Sequence, residues 1–357
     1  GKLESRNMRP IPYFSNLLIT LNDFSRYERD PSFLNNWIKG AIRMASTDAF
    51  SNEKIDLNFR NTSLLIKNKI IYDSGTTRWS IKNENLLFRF DTVFSIVMNN
   101  VTLTCRIQND STEIYNASGI YYPELQEFRG SKGIVTWEKA GFSKTDVFAE
   151  MIDYRIDITK SSFTSDSARL THKTFFKMPV YGSLTDRITS GSNKDKVAFP
   201  VFETSIKKFK IEDLYEGVSF EGGLRLEGSG TKGTGENLVP AEIKLFRNDT
   251  LYVKVNSKEF LFTKNGFTSQ ETSAYIYLGN DSIVHSNLGF SYNSANRQVN
   301  LFRTSIPISK SPYFDSYHNM DLYFEYFSWN MNDPKAVLSR PRGASIGQAM
   351  FESTSFF

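Results

Sequence analysis

Few side chains in this sequence combine the type and the spacing that chemistry demands, and the most motif-like group is a run of glycines. Gly228, Gly230 and Gly233 satisfy G-x-G-x-x-G within the stretch 222–235. Such a motif binds a dinucleotide when a helix N-terminus follows to receive the pyrophosphate. Here Glu236-Asn-Leu-Val-Pro240 follows and leads into another strand-like run. The glycines therefore predict a flexible hairpin tip or β-arc. His172, His285 and His318 are the three histidines, so a three-histidine zinc site would have to recruit all of them from distant segments. The tightest local cluster is Asp315-Ser-Tyr-His-Asn-Met-Asp321. In a turn its Asp315, His318 and Asp321 can approach one another as metal ligands or an acid/base group; a polar corner before a strand at 322–329 is the simpler reading. Glu138, Asp146, Glu150, Asp153 and Asp157 are near enough in sequence for a β-helix lyase or glycosidase to array along one face, and solvent-facing strand positions account for all five. No serine sits in G-x-S-x-G and no Cys–His pairing is indicated, so nucleophilic hydrolysis has no local support. The sequence assigns no catalytic residue, no metal ligand and no cofactor.

Aromatic rings are the other candidates. Tyr121, Tyr122, Phe128 and Trp137 lie around Pro123, and Tyr313, Phe314, Tyr317, Tyr323, Phe324, Tyr326, Phe327 and Trp329 cluster late. Exposed rings stack on sugar faces or lie against acyl chains, which singles out Tyr121, Tyr122, Trp137, Tyr313 and Tyr317 as candidate ligand-binding residues. Over 322–329 both alternating faces are aromatic, the pattern of a strand covered on both sides.

The elements that must position these residues are mostly strands. Residues 30–46 predict the one convincing helix: Asp30 caps, Pro31 suits the first turn, and Phe33, Leu34, Trp37, Ile38, Ala41 and Ile42 recur at three- and four-residue spacing. A second helix is possible at 345–352. From Ile55 the period changes to two, predicting strands at 55–59, 63–66, 86–90, 94–98, 101–107, 112–115, 134–138, 146–150, 154–159 and 168–171, among others. Asn109-Asp110-Ser111, Asn248-Asp249-Thr250 and Asn280-Asp281-Ser282, with a relative at Asp166-Ser167, read as corners where one strand hands over to the next. Asn and Asp tolerate left-handed backbone and hydrogen-bond their own chain. The intervals are irregular, which excludes a strict short-period repeat. A turn-rich stretch, 189–200, separates a first β region, 51–188, from a second, 201–340; residues 1–50 precede them and 341–357 follow. Without helical crossovers a doubly wound α/β fold is excluded. The expected class is mainly β, an elongated jelly-roll or sandwich, or a β-solenoid of short strands, with one N-terminal helix.

Composition narrows the function classes. With 357 residues a large core is available. The net charge of +4 comes from 43 basic and 39 acidic residues scattered along the chain, so no nucleic-acid groove is expected; Lys207, Lys208 and Lys210 read as a solvated strand edge. The lone Cys105 excludes an internal disulfide and a cysteine zinc site, and alternation places it with Val101, Leu103 and Ile107 on a buried face. No run approaches the roughly 18 apolar residues of a membrane helix. Gly1 at the start and Phe357 at the end predict a piece of a longer chain.

Gly119-Ile-Tyr-Tyr-Pro123, Gly133-Ile-Val-Thr-Trp-Glu-Lys-Ala-Gly141 and the Asp-Ser/Thr corners resemble segments of large uncharacterised envelope proteins of the Bacteroidota. The strand-corner-strand grammar also looks like OstA-like lipopolysaccharide-transport proteins and AsmA/TamB-like lipid-transfer grooves. The resemblance covers residues 55–330 and transfers no site residue. It implies a non-catalytic β-scaffold or binding module of an extracytoplasmic protein, in the periplasm, outer membrane or cell surface, offering a groove to lipid, glycan or a partner envelope protein. The competing expectations are a polysaccharide lyase or glycoside hydrolase on a β-helix or jelly-roll, and an adhesin domain in an extended array.

Overall fold

The computed structural model describes residues 10–28, 30–82, 85–188, 198–206, 208–236, 238–339 and 350–353. The stretch 189–195 lies outside them, as do Lys207 and residues 345–349 of the second helix candidate. The described end of that candidate, Met350–Ser353, is a strand, because it completes an antiparallel ladder with Met320–Tyr323. The chain divides into two compact units, Gly1–Thr171 with Gly182–Val201 and His172–Tyr181 with Phe202–Phe357.

The first unit opens with three helices where one was expected: α1 (Pro10–Tyr27), α2 (Pro31–Ser46) and α3 (Asn52–Asn68). Helix α2 is built as read, with the Ser32 N–H donating to the Asp30 side chain at 2.8 Å and Trp37, Ala41, Met44 and Ala45 buried. The period-two reading of 55–59 and 63–66 is corrected. Ile55, Phe59, Thr62, Leu65 and Ile66 are buried together at helical spacing, and Ser51 caps the N-terminus through its hydroxyl. Helix α1 escaped notice because its inward stripe is polar: Asn16, Thr20 and Asp23 recur at i, i+4 and i+7. Asn16 donates to Asp56 at 2.6 Å, the Thr20 hydroxyl to the Phe59 carbonyl at 3.0 Å, and Ser63 to Asp23 at 2.5 Å. Leu18 and Ile19 are left half-exposed. None of the described helices is long and apolar enough to cross a membrane.

Beside the helices run β1 (Ile70–Asp73), β2 (Thr77–Lys82), β3 (Leu86–Phe90), β4 (Phe94–Ile107), β5 (Asp110–Tyr122), β6 (Glu127–Thr136) and β7 (Val147–Asp157). The long β4 pairs with β3 along its first half, β2 along its second and β5 throughout; β6 and β7 continue the order, and every pairing is antiparallel. Hairpins, not parallel rungs, build this sheet, so the fold is mainly β and of the sandwich type, not a solenoid. Phe88 of its inner face meets Phe24 and Phe33 of the helices and stacks beside Phe94, and Phe24 in turn lies against Trp37 with ring centroids 5.2 Å apart. Complete burial of side chains this size contributes roughly 1.5–3 kcal/mol each, so this aromatic cluster is enough to dock the helices.

The second unit repeats the plan. Val218–Glu227 and Gly230–Thr234 form a hairpin whose tip is Gly228-Ser229, as the glycines predicted. Asn248 and Asp249 both have positive φ and close a two-residue turn between Ala241–Arg247 and Thr250–Ser257, a type I′ geometry matched to strand twist. Asp110 and Asp281 instead begin strands directly after two-residue turns. Asp166-Ser167 is no corner: it lies inside the strand Ser162–His172. Phe220, Phe260, Phe262, Phe267 and Phe290 form the core, with Phe267 and Phe290 stacked 5.3 Å apart. The single late strand expected at 322–329 is two, Met320–Tyr323 and Tyr326–Asn330, broken at Phe324-Glu325.

One carboxyl in the first unit sits in the core. Asp186 is 3% exposed; it accepts from the Arg187 N–H at 2.8 Å and from the Thr112 hydroxyl. Burial pushes its carboxyl above the usual range, against the smaller opposite pull of those hydrogen bonds. Such a group binds its proton more tightly folded than unfolded, so stability is lost as pH rises from the ordinary carboxylate range toward neutrality. Asp186→Asn keeps both acceptor and shape. It is expected to raise the melting temperature at pH 7 and to leave it unchanged near pH 3. Thermal melts across that pH range check both.

Candidate functional site

A line of irregular positions crosses four neighbouring strands of the first unit. On β4, Asn99 and Asn100 stand opposite the single Ser118 of β5, between the regular pairs Met98↔Gly119 and Val101↔Ala117. Asn100 takes φ 58°, and its N–H donates to the Ser118 hydroxyl at 3.0 Å. On β6, Ser131 is the extra residue between partners of Ser118 and Gly119, and its hydroxyl donates to the Ser118 carbonyl at 3.1 Å. Opposite Ser131 on β7 is Asp153, with φ 52°. Bulged residues bend a strand and sharpen its twist. Here the irregular positions fall at one level, so these four strands bend together there.

The crease makes the outer face concave. A groove of about 630 Å³ is lined by Val97, Asn99, Ser118, Ile120, Tyr122, Arg129, Ser131, Asp153, Tyr154 and Arg155, with backbone from glycines 119 and 130. Four of these, Val97, Ile120, Arg129 and Arg155, are successive cross-strand partners and form one row across the sheet. The Arg129 guanidinium lies 4.7 Å from the centroid of the Tyr122 ring and is also ion-paired with Glu127. Beneath the groove, on the inner face, the Tyr154 ring covers Gly130 and Gly133, and its hydroxyl donates to the Lys132 carbonyl at 3.1 Å. Burial raises that phenol well above its usual range, so Tyr154 is neutral and structural.

Of the five rings proposed from sequence, the groove takes Tyr122 alone. Tyr121, Trp137 and Tyr313 are corrections to the expected exposed rings, since each is buried. Tyr121 donates to the Ile71 carbonyl at 2.9 Å, Trp137 to the Pro200 carbonyl at 3.0 Å, and Tyr313 stacks on Phe324 with centroids 3.9 Å apart. Tyr317, in the second unit, is 70% exposed and meets the His318 ring edge-on. Of the five candidate carboxylates the groove takes Asp153, while Asn99, Ser118 and Ser131 carry no sequence signal, because the strands at 94–98 and 101–107 stop on either side of Asn99-Asn100 and no strand is expected over 118 or 131.

The clusters proposed for catalysis are built differently. Asp315 accepts from the Tyr317 N–H at 3.0 Å and lies 2.7 Å from His318 Nδ1, while Asp321 pairs through its backbone with Phe314, so the trio is a turn lock. Glu138 is tied to Lys144 at 3.0 Å, Glu150 to Arg169, and Asp157 to Thr159 and Lys160. The Thr159 hydroxyl holds the Asp157 carboxyl below its usual range. Among the described residues no three His, Cys, Asp or Glu side chains converge to hold a metal ion. Burial pushes the Cys105 thiol up to about 12 and His172 down to about 4, leaving both uncharged at neutral pH.

Glycine at 119 lets β5 and β6 close on the crease, for a Cβ there would come 2.2 Å from the Arg129 carbonyl oxygen. Gly119→Ala must push the strands apart and is expected to destabilise the protein by about 1–3 kcal/mol, read as a lower urea midpoint. An unchanged midpoint would show that the crease tolerates a wider strand spacing. Comparison of the chain with protein families, with curated proteins and with solved structures finds no match.

Proposed function

We propose that this chain is a non-catalytic binding module of a larger extracytoplasmic envelope or cell-surface protein, and that it takes a glycan in the creased groove. The observation that carries the reading is the groove's inventory. The Tyr122 ring stands beside the amide of Asn99, the hydroxyls of Ser118 and Ser131, a carboxylate at Asp153 and a guanidinium at Arg155. A pyranose offers one apolar face and a ring of hydroxyls that both donate and accept, and such a set serves it. An acyl chain needs a continuous apolar lining, whereas Val97 and Ile120 are the groove's only aliphatic side chains. A glycosidase needs two carboxyls flanking the bond it breaks, and Asp153 is the groove's one carboxylate. The envelope setting rests on the sequence resemblance.

A glycan array followed by calorimetry tests the reading. Binding of at least one oligosaccharide class is expected, weakened about three- to tenfold by Tyr122→Ala, the loss that stacking worth about 0.5–1.5 kcal/mol implies. Absence of binding across the array, or binding indifferent to Tyr122→Ala in a folded variant, overturns it.

A further inference from the structure

We infer that the glycan is acidic, with a uronate carboxylate seated on Arg155; this rests on the groove reading above. Arg129 and Arg155 are direct cross-strand partners on β6 and β7, and like charges so placed repel. Arg129 has its repulsion relieved by Glu127 and by the Tyr122 ring. Arg155 is exposed and has neither an ion pair nor a hydrogen bond among the described residues, although it lines the groove. The carboxylate two positions along its own strand, Asp157, is engaged by Thr159 and Lys160. The groove thus holds a guanidinium without a contact-distance partner, beside the Glu127-paired Arg129 and in the same groove as the Asp153 carboxylate, and an anionic ligand group on Arg155 supplies the missing partner. Arginine presents paired N–H donors in the geometry of a carboxylate.

Asp153 weighs against a dianionic phosphate more than against a uronate. It shares the groove with Arg155 and accepts hydrogen bonds only. A dianionic phosphate would be repelled by it. A uronate carries a single negative charge for Arg155, hydroxyls that donate to Asp153, and further hydroxyls within reach of Asn99, Ser118 and Ser131. The four strands lie about 4.8 Å apart, so the groove crosses about 14 Å of sheet, long enough for more than one sugar unit. Arg155 stands on the last of these strands and Tyr122 on β5, two strands away, so a sugar next to the uronate reaches the ring.

Calorimetry with oligogalacturonate, oligoglucuronate and oligomannuronate, each against its carboxyl-reduced neutral form, tests this. At least one uronate is expected to bind about tenfold or more tightly than its reduced form, the equivalent of ~1.4 kcal/mol. That advantage is expected to vanish in Arg155→Gln, to fall in Arg155→Lys, and to shrink as salt is raised from 50 to 500 mM. Tyr122→Ala should weaken acidic and reduced forms alike. Equal binding of acidic and reduced forms, or an unchanged advantage in Arg155→Gln, overturns the inference while leaving the glycan groove standing. Preference for inorganic phosphate or for phosphatidylglycerol vesicles over every uronate overturns it in favour of a phosphate ligand. Failure of every acidic and neutral oligosaccharide removes the groove reading and this inference together. Arg155 is exposed, and matched melting curves establish that its variants are folded.

Discussion

The architecture of the first unit depends on bending four paired strands at one level while keeping their hydrogen bonds. A bend that simply broke the ladder would leave the strands' N–H and C=O groups there to water and loosen the pairing at each strand. Bulging avoids the loss. Asn100 sends its N–H to the Ser118 hydroxyl and Ser131 sends its hydroxyl to the Ser118 carbonyl, so serine side chains replace the ladder bonds that the extra residues displace. On the inner side the bend opens room over Gly130 and Gly133, and the Tyr154 ring occupies it. The concave outer face and the filled inner face are two results of the same bend.

Most strands were legible because their alternation is local, and their lengths were not. The gaps that divided 94–98 from 101–107 and 146–150 from 154–159 fall on Asn99-Asn100 and on 151–153. Asn and Asp in left-handed backbone look alike in a turn and in a bulge. What separates the two is whether a neighbouring strand continues past the irregular residue, and that neighbour lies tens of residues away. Asn248-Asp249 ends its strand because both residues take positive φ and the chain reverses. Asn100 and Asp153 do not end theirs because β5 and β6 run on beside them.

The helices failed for a related reason. Helix α1 faces α3 through Asn16, Thr20 and Asp23, so an argument from apolar periodicity finds its stripe on the solvent side, at Leu18 and Ile19. In α3, Ile55, Leu57 and Phe59 alternate well enough to imitate a strand. The Ser51 cap and the longer spacing of Ile55, Phe59, Thr62 and Ile66 decide for helix, since burial follows the second pattern.

The same alternation explains why the aromatic clusters were poor guides to a site. A strand with one packed face sends every second ring inward, where ring area is worth most, so Tyr121 goes to the core and its neighbour Tyr122 must go out. Exposure alone would leave Tyr122 on an ordinary solvated face, where a ligand displaces water from one side only. The crease changes that by raising flanking strands around it. Polar side chains on a flat sheet stay hydrated, but those at the bottom of a fold converge on one volume. Asn99, Ser118, Ser131 and Asp153 converge because they are the residues that make the bend. Structure and recognition are therefore carried by the same side chains, and a chain that kept its rings but lost those four positions would keep its core and flatten its groove.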